Sequence, residues 1–202
     1  KNNYLKTLDY SEYERVLKSI FSEECLYREI NQHLLFKPTV FGMRSVRWLP
    51  YQTAQFYNIS AISTLDDMTR AVLEGLIFKV KRAVNAVKAV SEDLIGKANG
   101  FVVSGGLLEL CEFGTLLSTI LNQEVFYRSN RYDAVLGSVL FALRKLNESQ
   151  FSKFLEINQT TKSFPTSPKH VNFYEALYNL WLRKMEESEM QALRNFLNTN
   201  GC

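Results

Sequence analysis

One segment, residues 99–127, constrains the fold of this chain more than any other. It holds an apolar strand at residues 101–103, a Ser-Gly-Gly turn, an amphipathic helical pattern over residues 110–121 and a second apolar strand at residues 124–127. A further helical pattern follows. Strands that alternate with helices in this way predict neighbouring parallel strands joined by helical crossovers. We therefore expect an α/β domain.

The Ser104-Gly105-Gly106 turn is the first candidate for a ligand site. It follows the carboxyl end of a predicted parallel strand, which is where ligands bind in open α/β sheets. Glycines let a ligand approach the backbone closely, and the helix that follows offers backbone N–H groups to an anion. A Gly-Gly pair after a strand is more often a tight turn and nothing more, so the pattern alone leaves both interpretations open.

The segment Gly42–Trp48 is the second candidate. Arg44, Arg47 and Trp48 lie in an irregular stretch, where they could bind a phosphate or stack on a ring. The alternative is that these large side chains only tie a long loop to the surface of the domain.

Short strands are expected at residues 34–36 and 56–60 on the apolar character of those segments. A long helix follows, and either Ser63 or Thr64 is expected to cap it. On that helix, Asp66 and Arg70 have the spacing of a surface ion pair.

The last third of the chain is predicted to be a loop followed by a helix. Residues 158–172 contain two prolines and several Ser and Thr, which indicates a surface connection. A helical pattern begins at Phe173 and either continues or restarts near Met190. Residues 1–202 are accordingly interpreted as one domain, with residues 173–202 as its C-terminal helical extension.

Composition excludes several classes of function. The net charge is only +3 and the basic residues are dispersed, which argues against a nucleic-acid interface. Three widely spaced cysteines and two isolated histidines predict no zinc site and favour thiols in a reducing cytoplasm. No apolar run is long enough for a membrane helix. Glu74 has no acid or histidine at a spacing that would make it a general base, and no phosphate-loop or dinucleotide motif occurs.

The order of motifs resembles the C-terminal domain of FGGY carbohydrate kinases, most closely the gluconokinase and xylulokinase branch. Residues 34–48 resemble the family's LLFLPYLxGERSPxW, residues 69–75 its RAVLEG helix, residues 103–106 its adenosine-side glycine turn, and residues 117–125 and 136–138 its ILADVLGxPV and LGAA segments. Each segment alone is weak, but the set appears in the family's order and at its spacing over residues 30–145.

The resemblance implies a ribonuclease H-like, actin-like ATPase lobe with a mixed sheet flanked by helices, lacking its first strands. Its cofactors would be ATP and Mg²⁺. Ser104, Gly105, Gly106 and Glu109 would form the cofactor-binding site, with the two glycines facing the adenine and ribose. Gly75 would be the point where the long helix packs most closely.

The resemblance also implies what this chain lacks. The phosphate loop Asp-x-Gly-Thr, the sugar-binding acid and the catalytic Asp belong to an N-terminal lobe of the same polypeptide, so no catalytic residue is expected here. The longer protein would phosphorylate a sugar or sugar acid, with gluconate as the best guess. The isolated chain is expected to be inactive, to form homodimers through unpaired edges, and to bind neither nucleic acid nor membrane.

Departures from the family pattern keep other interpretations open. Met43 stands where the family has Glu, and Thr119 where it has Asp. Leu107 and Leu108 follow the glycines where a small residue and polar contacts are usual. The alternatives are a non-catalytic lobe of a degenerate kinase that binds a nucleotide or a partner, and an unrelated α/β interaction domain.

Overall fold

A computed structural model describes residues 10–20, 30–43, 46–91, 100–128, 137–138, 141–142 and 161–199. The chain divides into two compact units. The first comprises residues 1–97 and 168–202, and the second comprises residues 98–167. Because the C-terminal segment belongs to the first unit, the closing helix packs with the N-terminal part of the chain. The single lobe over residues 1–202 stays a prediction.

The described part of the first unit contains three α-helices and a two-stranded hairpin. The helices are α1 (Tyr10–Ile20), α2 (Leu65–Val90) and α4 (Pro168–Thr199), and the antiparallel strands are β1 (Leu35–Lys37) and β2 (Gln55–Tyr57). Strand β1 lies one residue beyond its predicted position, whereas β2 begins one residue before the predicted segment 56–60 and ends three residues before its end. The helix expected from Phe173 begins five residues earlier, at Pro168, and continues unbroken through the Met190 region. Proline is well tolerated as a first helical residue, because its missing N–H would have no partner there.

The start of α2 follows from its sequence. Thr64 occupies the N-cap, its side chain accepts from the Asp67 backbone N–H, and the Asp67 side chain accepts from the Thr64 backbone N–H. This capping box satisfies donors that the helix itself leaves open. The prediction of a cap at Ser63 or Thr64 is confirmed at Thr64.

The predicted ion pair between Asp66 and Arg70 is wrong. Asp66 pairs instead with Arg15 of α1, at 2.6 Å between Oδ1 and Nη2 and 2.7 Å between Oδ2 and Nη1. Arg70 is buried, with its Nε 3.7 Å from Glu74 Oε1. Helical spacing correctly places Asp66 and Arg70 on neighbouring turns of α2. The packing of α1 against α2, however, brings Arg15 to Asp66 and so determines the ion pair.

Gly75 is where α2 approaches the hairpin most closely, as expected. A Cβ at this position would overlap the carbonyl oxygen of Phe36 in β1. That same carbonyl accepts a hydrogen bond of 2.8 Å from Trp181 Nε1 of α4. Trp181 is fully buried, and its ring lies 5.7 Å from the ring of Phe78. The absence of a side chain at Gly75 thus lets both helices close on one strand.

The second unit contains a three-stranded mixed sheet and one described helix. Strands β3 (Phe101–Val103) and β4 (Val125–Arg128) are parallel, α3 (Cys111–Leu121) connects them, and β5 (Thr161–Phe164) is antiparallel to β4. The predicted parallel crossover is confirmed. The helix predicted around residues 136–143 lies largely outside the described residues.

Strand β5 corrects the prediction of a surface connection over residues 158–172. Thr161–Phe164 pairs with β4 along its whole length, from Arg128 opposite Thr161 to Val125 opposite Phe164. The Phe164 side chain packs against α3 at Gly114, where a Cβ would overlap the phenyl ring. The polar composition of this edge strand concealed it, since only one of its residues enters the core.

Candidate functional site

The turn after β3 is open to solvent. Ser104, Gly105 and Gly106 are all exposed, and Gly106 begins a single 3-10 turn that ends at Glu109. Gly105 has φ +130°, a conformation that side-chain-bearing residues rarely adopt. Apart from chain neighbours, no atom of the described residues lies within 4 Å of where a Cβ would stand on either glycine. A ligand can therefore contact the backbone of this turn directly.

The sheet places this turn at the edge where its two parallel strands end. Phe101 pairs with Val125 and Val103 with Tyr127 in parallel register, so β3 and β4 end at the same edge. Ligands in open α/β sheets bind outside the carboxyl ends of parallel strands. The turn is held from beneath by Leu108 and Leu110, both of which are buried.

Ser104 and Glu109 are both exposed, so a ligand at the turn can reach their side chains. The two leucines that depart from the family pattern have different surroundings: Leu108 is an anchor in the core, whereas Leu107 is exposed. A nucleoside contact by Ser104, Gly105, Gly106 and Glu109 remains a prediction.

The second candidate segment is tied to α4. Met43 and Leu49 exchange two backbone hydrogen bonds, of 2.9 and 2.8 Å. Arg47 Nη1 lies 3.6 Å from Glu189 Oε2, while Trp48 is exposed. Arg44 lies outside the described residues. The contact of Arg47 favours the anchoring interpretation over phosphate binding.

Glu189 is the centre of a buried ion pair that the sequence did not indicate. Both carboxylate oxygens face the guanidinium of Arg82: Oε1 contacts Nη1, and Oε2 lies 3.1 Å from Nη2. Arg82 Nη1 also lies 3.6 Å from the sulfur of Met43. The Met43 departure therefore does not leave Arg82 without a carboxylate, because Glu189 supplies one.

Thr119 has a structural role in the second unit. Its buried hydroxyl donates to the Thr115 carbonyl at 2.7 Å and accepts from the Ser167 backbone N–H at 3.0 Å. Its neighbour Ser118 donates to the Pro165 carbonyl at 2.8 Å. Together these bonds fasten the segment after β5 to α3, so a hydroxyl at position 119 fits its surroundings.

Glu74, for which no general-base partner was found in the sequence, lies in a buried polar cluster of the first unit. Tyr174 Oη donates to its Oε1 at 3.1 Å, and Arg70, the nearest cation, contacts the His33 ring at 3.1 Å. Burial raises the pKa of Glu74 to about 7, although Arg70 and the Tyr174 hydrogen bond both act to lower it. Helical periodicity could not find this cluster, because its partners come from three separate segments.

Among the residues that the structure describes, no three His, Cys, Asp or Glu side chains are grouped so that they could hold an ion. The open glycine turn leaves space for a ligand against its backbone. None of the described helices has the length and apolar character needed to cross a membrane.

No protein-family model matches the chain. Among curated proteins, it is 24% identical to a xylulose kinase of Lactococcus lactis subsp. lactis over 156 residues and 26% identical to a gluconokinase of Bacillus subtilis over 110 residues. These matches cover 75% and 54% of the chain, but only 30% and 21% of the relatives.

Solved structures show the fold. The chain superimposes on a xylulose kinase from Rhodospirillum rubrum with a TM-score of 0.66 and 15% identity over 91% of its length. It matches a gluconate kinase from Lactobacillus acidophilus with a TM-score of 0.65, 19% identity and 99% coverage. A Plasmodium falciparum glycerol kinase solved with ADP gives a TM-score of 0.61, 18% identity and 87% coverage.

The chain spans 34%, 37% and 34% of those three structures. Its fold is thus a part of the sugar-kinase fold, which is that of the actin-like ATPases. The resemblance to the C-terminal domain of FGGY carbohydrate kinases, to which the sequence motifs point, is confirmed.

Proposed function

We propose that this chain is the nucleotide-binding lobe of an ATP-dependent carbohydrate kinase, and that the turn after β3 contacts the nucleoside. The observation that carries the proposal is the open backbone of Gly105 and Gly106 at the carboxyl end of a parallel strand. Ser104 and Glu109 flank these glycines and would hydrogen-bond the ribose or base. The similarity to a kinase solved with ADP supports the same ligand class.

In the longer protein, the γ-phosphoryl group of ATP would pass to a hydroxyl of a sugar or sugar acid, for which gluconate is our first choice. Phosphoryl transfer depends on positioning, on charge stabilisation by Mg²⁺ and on a group that accepts the hydroxyl proton. The residues of this chain would bind and orient the nucleoside end. The N-terminal lobe would supply the sugar site, the metal ligands and the base, so the isolated chain would be inactive.

A second candidate is a non-catalytic lobe that binds a nucleotide or a partner protein. Leu107 favours it, because an exposed leucine follows the glycine turn where polar contacts are usual in the family pattern. Both candidate functions share the predicted homodimer and the predicted cytoplasmic location, and these stay predictions.

Turnover by the longer protein separates the two candidates. We expect ATP-dependent ADP release with gluconate, xylulose or glycerol, and none from the 202-residue chain alone. Gly106→Val should raise the KM for ATP about tenfold or more by blocking the approach to the turn, without changing the KM for the sugar. In the part of the chain that the structure describes, no atom beyond the chain neighbours lies within 4 Å of a Cβ at Gly106, so the fold should persist.

Gly137→Val is the matched control, since Gly137 also has open space around its Cβ position but lies outside the turn. It should leave both KM values unchanged. Turnover by the isolated chain would contradict the proposed division of labour. An unchanged KM for ATP in Gly106→Val would contradict a nucleoside site at this turn. Absence of turnover by the longer protein on any sugar would favour the non-catalytic lobe.

A further inference from the structure

The first unit contains a polar cleft that the proposed kinase site does not use. It lies between the β1–β2 hairpin and α4 and has a volume of about 480 Å³. Amide, hydroxyl and charged side chains dominate its lining. The residues used below are Lys37, Gln52, Gln55, Tyr57, Ser188 and Gln191.

Lys37 contributes a buried ammonium group to this cleft. The residue is 1% exposed, and its Nζ donates to Gln52 Oε1 and to Ser188 Oγ, each at 2.7 Å. No carboxylate of the described residues lies within 4 Å of it, and burial lowers the pKa of Lys37. An ammonium group has three hydrogens, so one remains for a ligand. The charge of Glu189, which is not in contact with the ammonium group, acts to raise the Lys37 pKa. A buried charge with no carboxylate in contact is still costly, and an anion in the cleft would offset that cost.

Other side chains of the cleft also offer hydrogen-bond donors to a ligand. The hydroxyls of Tyr57 and Ser188 both lie within hydrogen-bond reach of Gln55 Oε1, at 3.0 and 3.4 Å. With Oε1 so engaged, the Nε2 amide of Gln55 has no partner among the described residues. The Gln191 side chain likewise makes no hydrogen bond to the described part of the chain. A ligand that satisfies these groups must carry several acceptors.

We propose that this cleft binds a small hydroxylated oxyanion, either a sugar acid or a sugar phosphate, with its anionic group on Lys37. The hydroxyls of the ligand would bond to Gln55, Gln191 and Tyr57. The family pattern LLFLPYL has leucine at the position of Lys37, so the charge is a feature of this chain rather than of the resemblance. The inference does not depend on the nucleoside site, because every residue named here belongs to the first unit.

Calorimetric titration of the 202-residue chain tests the proposal with three probes: gluconate, glucose 6-phosphate and the neutral polyol sorbitol. We expect one or both anions to bind and sorbitol not to bind. The stronger of the two anions identifies a carboxylate or a phosphate as the recognised group. Lys37→Leu should weaken binding about tenfold or more, because it removes the only buried cation of the site.

Lys18→Leu, which removes a lysine from the exposed face of α1, is the matched control and should bind as the original chain does. Gln55→Leu provides a second test that does not touch the core, and it should weaken binding several-fold. The melting temperature of each variant verifies folding. The proposal is overturned if neither anion binds, if sorbitol binds as well as the anions, or if Lys37→Leu and Lys18→Leu bind alike.

Discussion

Replacing Glu189 with alanine should lower the free energy of unfolding by about 3–5 kcal/mol, because it leaves the Arg82 guanidinium buried without a carboxylate. The two side chains are only 2% and 9% exposed, and they pair through both oxygens and both terminal nitrogens. The energy lost is mainly the cost of an uncompensated charge in the core. Urea unfolding of the isolated chain measures it directly.

The matched control is Glu187→Ala, which removes the exposed partner of Lys184 on the same helix. Exposed pairs contribute less than about 1 kcal/mol, so this change should be nearly neutral. The double variant Arg82→Leu/Glu189→Leu should recover most of the lost stability, since replacing both charges leaves nothing unpaired. Equal effects of Glu189→Ala and Glu187→Ala would contradict the buried ion pair.

Raising the pH should destabilise the fold through Glu74. Its folded-state pKa is about 7 against an ordinary value of 4.5, so the folded state holds a proton that the unfolded chain releases. The contribution of Glu74 is fully present below pH 4.5 and is lost as the pH rises through 7. Since one pKa unit corresponds to about 1.4 kcal/mol, the loss is about 3 kcal/mol.

Glu74→Gln removes this titration while keeping an oxygen for the Tyr174 hydroxyl. We therefore expect the stability of the variant, relative to that of the original chain, to rise by about 3 kcal/mol as the pH increases from 4.5 to 8. The quantity to follow is the difference in the free energy of unfolding between the variant and the original chain at each pH. Burial lowers the pKa of His170, which raises the stability of both chains as the pH rises and therefore cancels in this difference. Asp66→Asn is the control. Because the hydrogen bond from Arg15 lowers the Asp66 pKa, the titration of Asp66 changes stability only below pH 4.5, and this variant should follow the pH dependence of the original chain. If the stability of Glu74→Gln and that of the original chain changed with pH in parallel, the assignment of this pH dependence to Glu74 would be contradicted.

Local sequence signals predicted the elements whose causes are local. The β3–α3–β4 crossover follows from the alternation of apolar strand and helix, and the start of α2 from the Thr64 capping box. Gly75 was expected to mark close packing, and the Phe36 carbonyl lies directly against it. These features depend on residues that are adjacent in sequence or on a single small side chain.

The features that the sequence missed depend on partners far apart in the chain. Strand β5 is stabilised by pairing with β4, more than thirty residues earlier, and only Phe164 of its residues is apolar. Glu189 and Arg82 are 107 residues apart, so no periodicity joins them. Lys37, a charged residue at the end of the fully buried strand β1, is a signal in the sequence for the cleft.

The position of the nucleoside is the central claim, and titration of the isotope-labelled chain with ADP tests it most directly. Amide resonances of residues 103–109 should shift in a saturable way, and Gly106→Val should abolish the shifts while Gly137→Val retains them. Those results would assign the turn after β3 to the nucleoside. Saturable shifts elsewhere, or none in this turn at any ADP concentration, would contradict the assignment.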